Sequence, residues 1–183
     1  LGTDQAKLRL DGGSLRIAGT DMHLLGRNVV LEAGGGALEI ADAGNVVGIA
    51  KEISGAGSLT KLGLGGLVLE GTHSYTGETL VKAGALAVNG SIASSTLTTV
   101  EAGAALGGTG TLGNTIVASG GRLAPGNSIG TINVAGDITF KAGSKFEVEA
   151  NDKGESDKVA ATGRAILEGG SVLTLASGNN YAP

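Results

Sequence analysis

Four short blocks recur along the chain and restrict what it can fold into. They read VKAGAL from Val81, VEAGAAL from Val100, VASGGRL from Val117 and FKAGSKF from Phe140, and LEAGGGAL from Leu31 is a looser fifth copy. Each is an apolar residue, two smaller or polar residues, a glycine-containing turn and a second apolar residue. A unit that recurs about every 20 residues cannot close a core by itself and has to stack on its neighbours, which is the signature of a solenoid. Val81, Val100, Val117 and Phe140 then belong to one internal column.

Glycine sets the type of coil. It accounts for 35 of the 183 residues, and the longest glycine-free stretch, Ser91 to Ala102, is rich in Ser and Thr. Glycine inside a helix costs roughly 1 kcal/mol, so long helices are excluded. Between the glycines lie KLRL, SLRIAG, ALEIA, LVLEG, ALAVNG, KFEVEA and SVLTLAS, which alternate with period two and read as short strands. The L-x-x-L-x-L frame of leucine-rich repeats and the G-G-x-G-x-D of calcium-binding nonapeptides are both missing. The expected fold is all-β, a right-handed parallel β-helix of about nine coils and about 40 Å, from the ~4.8 Å spacing of neighbouring strands. The expected division is upstream coils over 1–52, repeat-bearing coils over 53–114 and a C-terminal capping segment over 115–183.

Composition narrows the functions. Only 2% of residues are aromatic, so the interior has to be built from Val, Leu, Ile and Ala. A net charge of −4 with scattered Lys and Arg lacks the basic footprint of nucleic-acid binding. The absence of cysteine removes disulfides and thiol chemistry. No run of about 18 apolar residues spans a membrane as a helix. The chain opens and closes in mid-pattern and reads as part of something longer.

The block ISGAGSLTKLGLGGLVLEGTHSYTGETLVKAGALAV, Ile53 to Val88, resembles the autotransporter-associated β-strand repeat. The positions that carry the resemblance are Gly55, Gly57, Leu59, Lys61, Gly63, Gly65, Leu67, Leu69 and Gly71, then Tyr75-Thr76-Gly77, then Gly84, Leu86 and Val88. From Gly120 onward the L-x-P-G-x-S-x-G-T turn and the strands after it resemble the C-terminal passenger region of the same family. The resemblance implies a type V secreted protein on the surface of a Gram-negative bacterium. It also implies an upstream passenger and a C-terminal membrane barrel as partners, and an autochaperone segment ahead of that barrel.

Three sharper motifs have blander readings. Gly126-Asn127-Ser128-Ile129-Gly130 spells the G-x-S-x-G nucleophile elbow, but that motif needs a helix after the serine, and IGTINVAGDITF alternates like a strand. Both histidines, His23 and His73, lie upstream, and nothing around either suggests a base. The stretch is read as a turn with its φ angle set by Pro125. Gly108 to Gly113 matches G-x-G-x-x-G, yet a strand and not a helix follows, so no nucleotide is expected. The acidic run with Glu147, Glu149, Asp152, Glu155 and Asp157 fits no calcium loop and is read as a solvated loop. No enzyme activity, metal or cofactor is expected.

The expected function is a β-helical stalk whose C-terminal cap promotes passage and folding of its own passenger. Leu123, Ile129, Ile132, Val134, Phe140, Phe146 and Val148 are expected to form the cap core, and Pro125, Gly126, Ser128 and Gly130 its turn. The alternative is an adhesin or self-association module that contacts host surface or matrix molecules or sister cells. The stretch from Ala93 to Thr99 is then a candidate exposed ladder, and otherwise a solvated coil face.

Overall fold

A computed structural model describes residues 6–169 and 171–177. Among them every regular element is a strand, and every strand pairing is parallel. The short glycine-bounded runs are too brief for helices, and their alternation leaves one face apolar, so the chain coils and buries that face against the next turn.

The longest sheet stacks eight strands in chain order: Gly13–Ile17, Gly36–Ile40, Leu59–Leu62, Thr79–Val81, Thr98–Val100, Thr115–Val117, Ile138–Phe140 and Ala165–Leu167. Among the described residues these eight strands make seven full turns, against about nine coils expected for the whole chain, and the coils lengthen away from the middle. The turn from Val100 to Val117 is the shortest and the turn from Phe140 to Leu167 the longest. At about 4.8 Å per step the stack is about 34 Å long. A second side is a seven-stranded sheet from Val46–Ile49 to Val172–Ser177. The third side is divided between a three-stranded sheet near the N-terminus (Leu8–Leu10, Val29–Leu31, Ile53–Gly55) and a four-stranded sheet further on (Ser91–Ile92, Thr111–Leu112, Thr131–Val134, Lys158–Ala161).

The repeat column exists as read. Val81 pairs with Val100, Val100 with Val117, and Val117 with Phe140, all four buried. It extends upstream through Lys61 to Leu38 and Leu15, and downstream to Leu167. A second internal column, on the seven-stranded sheet, runs Val47, Leu67, Leu86, Leu106, Leu123 and Phe146. Aliphatic rows stacked at strand spacing form a core one side chain deep on each face, which suits a chain so poor in aromatics.

The corners are tighter than the strands. Gly71, Gly90 and Gly110 follow one another at the exit from the seven-stranded sheet. A β-carbon on Gly90 would run into the Gly71 carbonyl, and one on Gly110 into the Gly90 carbonyl. Ser91 N–H donates to Gly71 O at 3.0 Å and Thr111 N–H to Gly90 O at 2.9 Å, so the contact is itself the inter-coil ladder.

Leu106 lies in the middle of the stack and is fully buried. Leu106→Ala should cost about 2–5 kcal/mol with little room to collapse. The drop is measured as a lowered denaturant midpoint of the purified chain.

Candidate functional site

The turn that resembles a nucleophile elbow is a joint between coils. Strand Arg122–Pro125 ends on a buried Pro125, and Gly126 follows with φ +90°. That backbone is costly for any L side chain, and a β-carbon on Gly126 would strike the Ser128 carbonyl. Gly126 and Gly108 exchange backbone hydrogen bonds across the coils, Gly126 N–H to Gly108 O at 2.8 Å and Gly108 N–H to Gly126 O at 3.3 Å. Gly130 closes the turn, with the position of its missing β-carbon only 2.9 Å from Gly126 Cα.

Asp157 holds this turn in place. Its Oδ1 accepts the Gly130 N–H at 2.8 Å and its Oδ2 accepts the Glu149 N–H at 2.8 Å. Around it, Asp157 N–H donates to Glu149 O at 2.8 Å and Lys158 N–H to Gly130 O at 2.9 Å. One carboxylate therefore clamps two neighbouring coils. The sequence pattern placed Asp157 in a solvated loop, but it is buried at 6% exposure. The tip, Asp152 to Glu155, is exposed, as are Glu149 and Lys158. There Asn151 organises the bend: its Oδ1 accepts the N–H groups of Lys153 and Glu155, both at 3.0 Å, and its Nδ2 donates to Glu155 at 2.6 Å. Glu147 faces Arg122 at 3.4 Å. The carboxylates of the run thus diverge, and among the described residues no three His, Asp or Glu converge on a metal position.

Ser128 is exposed at the rim of a polar notch of about 500 Å³ shared with Thr131, Asn151, Glu155, Ser156 and Lys158. Neither histidine reaches it as a base. His23 is about five coils away, roughly 24 Å at strand spacing. His73 is buried with its Nδ1 accepting the Ile53 N–H at 3.1 Å. Of the other residues expected at this end, Leu123, Ile132, Val134, Phe140 and Val148 are buried, while Ile129 and Phe146 are half-buried. Phe140 and Phe146 lie with ring centroids 5.6 Å apart. Below them an apolar mouth of about 440 Å³, lined by Ile138, Phe140, Phe146, Val159 and Leu167, opens at the end of the described coils.

A second polar cluster lies inside the tube, where alternation alone predicts only aliphatic residues. Tyr75 is fully buried, and its hydroxyl is 2.6 Å from Thr79 Oγ1, which is 2.9 Å from Ser95 Oγ. Ser95 also donates to Gly77 O at 3.0 Å, and Ser94 reaches the carbonyls of His73 and Tyr75, both at 3.0 Å. The expected exposed ladder is thus partly interior, with Ser95 and Thr98 buried. Burial pushes the Tyr75 hydroxyl far above its ordinary value. Burial likewise lowers His73 to about 4, against a smaller opposing pull from Glu52. Lys61, also fully buried, donates to three backbone carbonyls.

A parallel β-solenoid with glycine corners and internal polar clasps defines a class, the repeat proteins whose coils stack one on the next. Residues 59–88 match the passenger-associated-transport-repeat family. Two extracellular serine proteases of Serratia marcescens are 50% and 43% identical to this chain over 121 and 122 residues. Each alignment covers 66% of this chain and 11% of the relative. The adhesin BmaC autotransporter of Brucella suis is 51% identical over 77 residues, 41% of this chain and 2% of the adhesin. The chain thus spans about a tenth of the length of the proteases it matches. The chain carries the transport repeat of autotransporter passengers on a β-helical stretch and is similar to them there, and its place is outside the outer membrane, at the cell surface or beyond it.

Two outcomes follow from the site. Asp157→Ala leaves the Gly130 and Glu149 N–H groups without their acceptor and should cost about 2–4 kcal/mol, whereas Ser128→Ala should change stability by less than about 0.5 kcal/mol. Urea unfolding of both variants checks the contrast. His73 has a folded pKa of about 4, below its unfolded 6.5, so the unfolded chain takes up its proton first. Its contribution is complete above pH 6.5 and is lost as pH falls toward 4. The melting temperature of the natural chain should fall more steeply across that window than that of His73→Gln.

Proposed function

We propose that this stretch is a non-catalytic passenger stalk whose C-terminal part, residues 115–183, folds first outside the outer membrane and templates the coils upstream. The observation that carries this reading is the concentration of non-repeating ties at that end. Strands Lys145–Ala150 and Val172–Ser177 pair over six residues, where pairings earlier in the stack span two to five. The Asp157 clamp, the Phe140–Phe146 pair and the ion pairs Arg122–Glu147, Asp137–Arg164 and Lys141–Glu168 all lie there. The exposed ion pairs add little individually. The long pairing and the buried clamp give this end a source of order that does not depend on the coils above it.

In a solenoid, stability is a sum of coil and interface contributions, so folding spreads from whichever end is ordered first. A formed C-terminal end presents a parallel strand edge, and each upstream coil adds to it. Each added coil buries apolar area outside the membrane, which opposes return of the chain. Residues 53–114 then supply the regular transport coils and residues 1–52 continue them upstream. The partners of this role are the chain's own upstream passenger and a C-terminal membrane barrel. Nothing in it requires a cofactor or nucleic acid.

A second reading, self-association or adhesion to host surface or matrix molecules, is favoured by the outer face of the seven-stranded sheet. Its rows Val46, Gly66, Ala85, Ala105 and Leu24, Gly48, Val68, Ala87, Gly107, Ala124 carry no charge until Arg122 and Lys145 continue the first of them. Leu24 and Val46 are 58% and 50% exposed.

The two readings separate in one experiment on the full-length passenger. Deleting 123–183, or introducing Gly126→Val, should leave the upstream passenger protease-sensitive and reduce its surface display. Leu24→Glu together with Val68→Glu should leave display intact. Undiminished display and protection after the deletion would overturn the folding role, and loss of cell–cell or matrix attachment in the Leu24/Val68 variant alone would establish the second reading.

A further inference from the structure

We propose that Lys61 is a register lock, the residue that admits one alignment of its coil on the coils beside it and rejects slipped ones. The inference stands whether or not folding of this chain drives export.

The inward column containing Lys61 is otherwise apolar: Leu15, Leu38, Val81, Val100, Val117, Phe140 and Leu167. Lys61 is fully buried in it and forms no ion pair among the described residues. Its Nζ instead donates to Leu62 O at 2.8 Å, Gly63 O at 2.9 Å and Ala83 O at 3.1 Å. Three acceptors are the full complement of an ammonium group. Two belong to the corner of its own coil and the third to the corner of the next. The seat is a property of two coils together and exists only when they are aligned. Backbone packing leaves no room for a substitute donor, because a β-carbon on Gly63 would meet the Ile40 carbonyl and one on Gly84 the carbonyls of Gly63 and Gly65.

A lock is needed at this point because the local sequence is nearly degenerate. In LTKLGLGGLVL, Leu59 to Leu69, leucine and glycine alternate so closely that a two-residue slip keeps the inward face inward and exchanges Leu67 for Leu69. A one-residue slip reverses every side chain and is already excluded by burial. The two-residue slip is resisted weakly by aliphatic packing. It is resisted strongly by Lys61, because it takes the ammonium off the Ala83 carbonyl of the next coil and leaves a buried charge one donation short in the apolar tube.

The chain has no cysteine, so register can be read by disulfide trapping without background. Thr60 pairs with Leu80 on the outer face of the interface that Lys61 bridges. Thr60→Cys with Leu80→Cys should cross-link on refolding and report the native register, and Leu62→Cys with Leu80→Cys reports the slip. Adding Lys61→Met should raise the ratio of slipped to native product about tenfold, the change expected when about 1.4 kcal/mol of register preference is lost. A ratio unchanged in folded Lys61→Met overturns the lock. Should that variant not fold, the natural Lys61 is refolded at pH 9.5. Burial lowers its amine to about 8, so it is largely neutral there and gives up one of its three donations. The groups facing it on both flanking coils are Leu38, Val81 and the carbonyls, and none of these titrates. The slipped ratio should again rise, and a ratio equal to that at pH 7 overturns the proposal.

Discussion

Parallel hydrogen bonding between successive coils is the interaction on which everything else in this molecule depends. A single coil has an apolar inner edge and a row of unpaired backbone groups, and both are satisfied only by the coil above and the coil below. The ladder fixes the spacing, and the spacing leaves no space at the corners. The Gly71, Gly90 and Gly110 backbones touch at carbonyl distance, so the glycine content is a requirement of the stack and not a sign of looseness. The same closeness makes corners the place where one side chain can bridge two coils, as Asp157 and Lys61 both do.

These two residues solve one problem with opposite charges. A solenoid built from Val, Leu, Ile and Gly has strong burial but weak discrimination between neighbouring alignments. Asp157 accepts from backbone N–H groups of adjacent coils, and Lys61 donates to backbone carbonyls of adjacent coils. Each is costly to bury alone and is satisfied only in the aligned stack. The Tyr75, Thr79 and Ser95 hydroxyls do likewise without a formal charge.

Periodicity makes the fold legible in the sequence, because a column at fixed spacing leaves a mark at every turn. Val81, Val100, Val117 and Phe140 stack as their spacing implies. The polar clasps leave no periodic mark. Lys61 occupies an inward position that hydropathy assigns to an aliphatic residue. Asp157 lies beside Asp152, Lys153, Glu155 and Lys158, which do face solvent or its edge, and nothing local separates it from them. Ser95 and Thr98 read as a polar surface ladder and prove interior. For Asp157, Lys61 and Ser95 the deciding fact is a backbone group one coil away along the chain, which a local pattern does not contain. The glycine-x-serine-x-glycine turn errs in the other direction: its spacing follows from what Gly126 and Gly130 require of the backbone, and chemistry reads into it only when the sequence is taken without the stack.

The distribution of ties along the rod has a directional consequence. If every coil were equivalent, folding could begin anywhere and competing nuclei would meet out of register, a hazard that grows with the number of near-identical repeats. On the proposed folding role, the irregular coils at one end, with a six-residue pairing and the Asp157 clamp, would supply a single nucleus there. Growth from it enters the near-degenerate leucine–glycine stretch only after the Ala83 carbonyl of the following coil is in place to receive Lys61. Growth in the opposite direction would reach Lys61 before that acceptor exists and would leave its seat incomplete. The placement of the third acceptor on the C-terminal side of Lys61 therefore suits assembly that proceeds from the C-terminal end toward the N-terminal one.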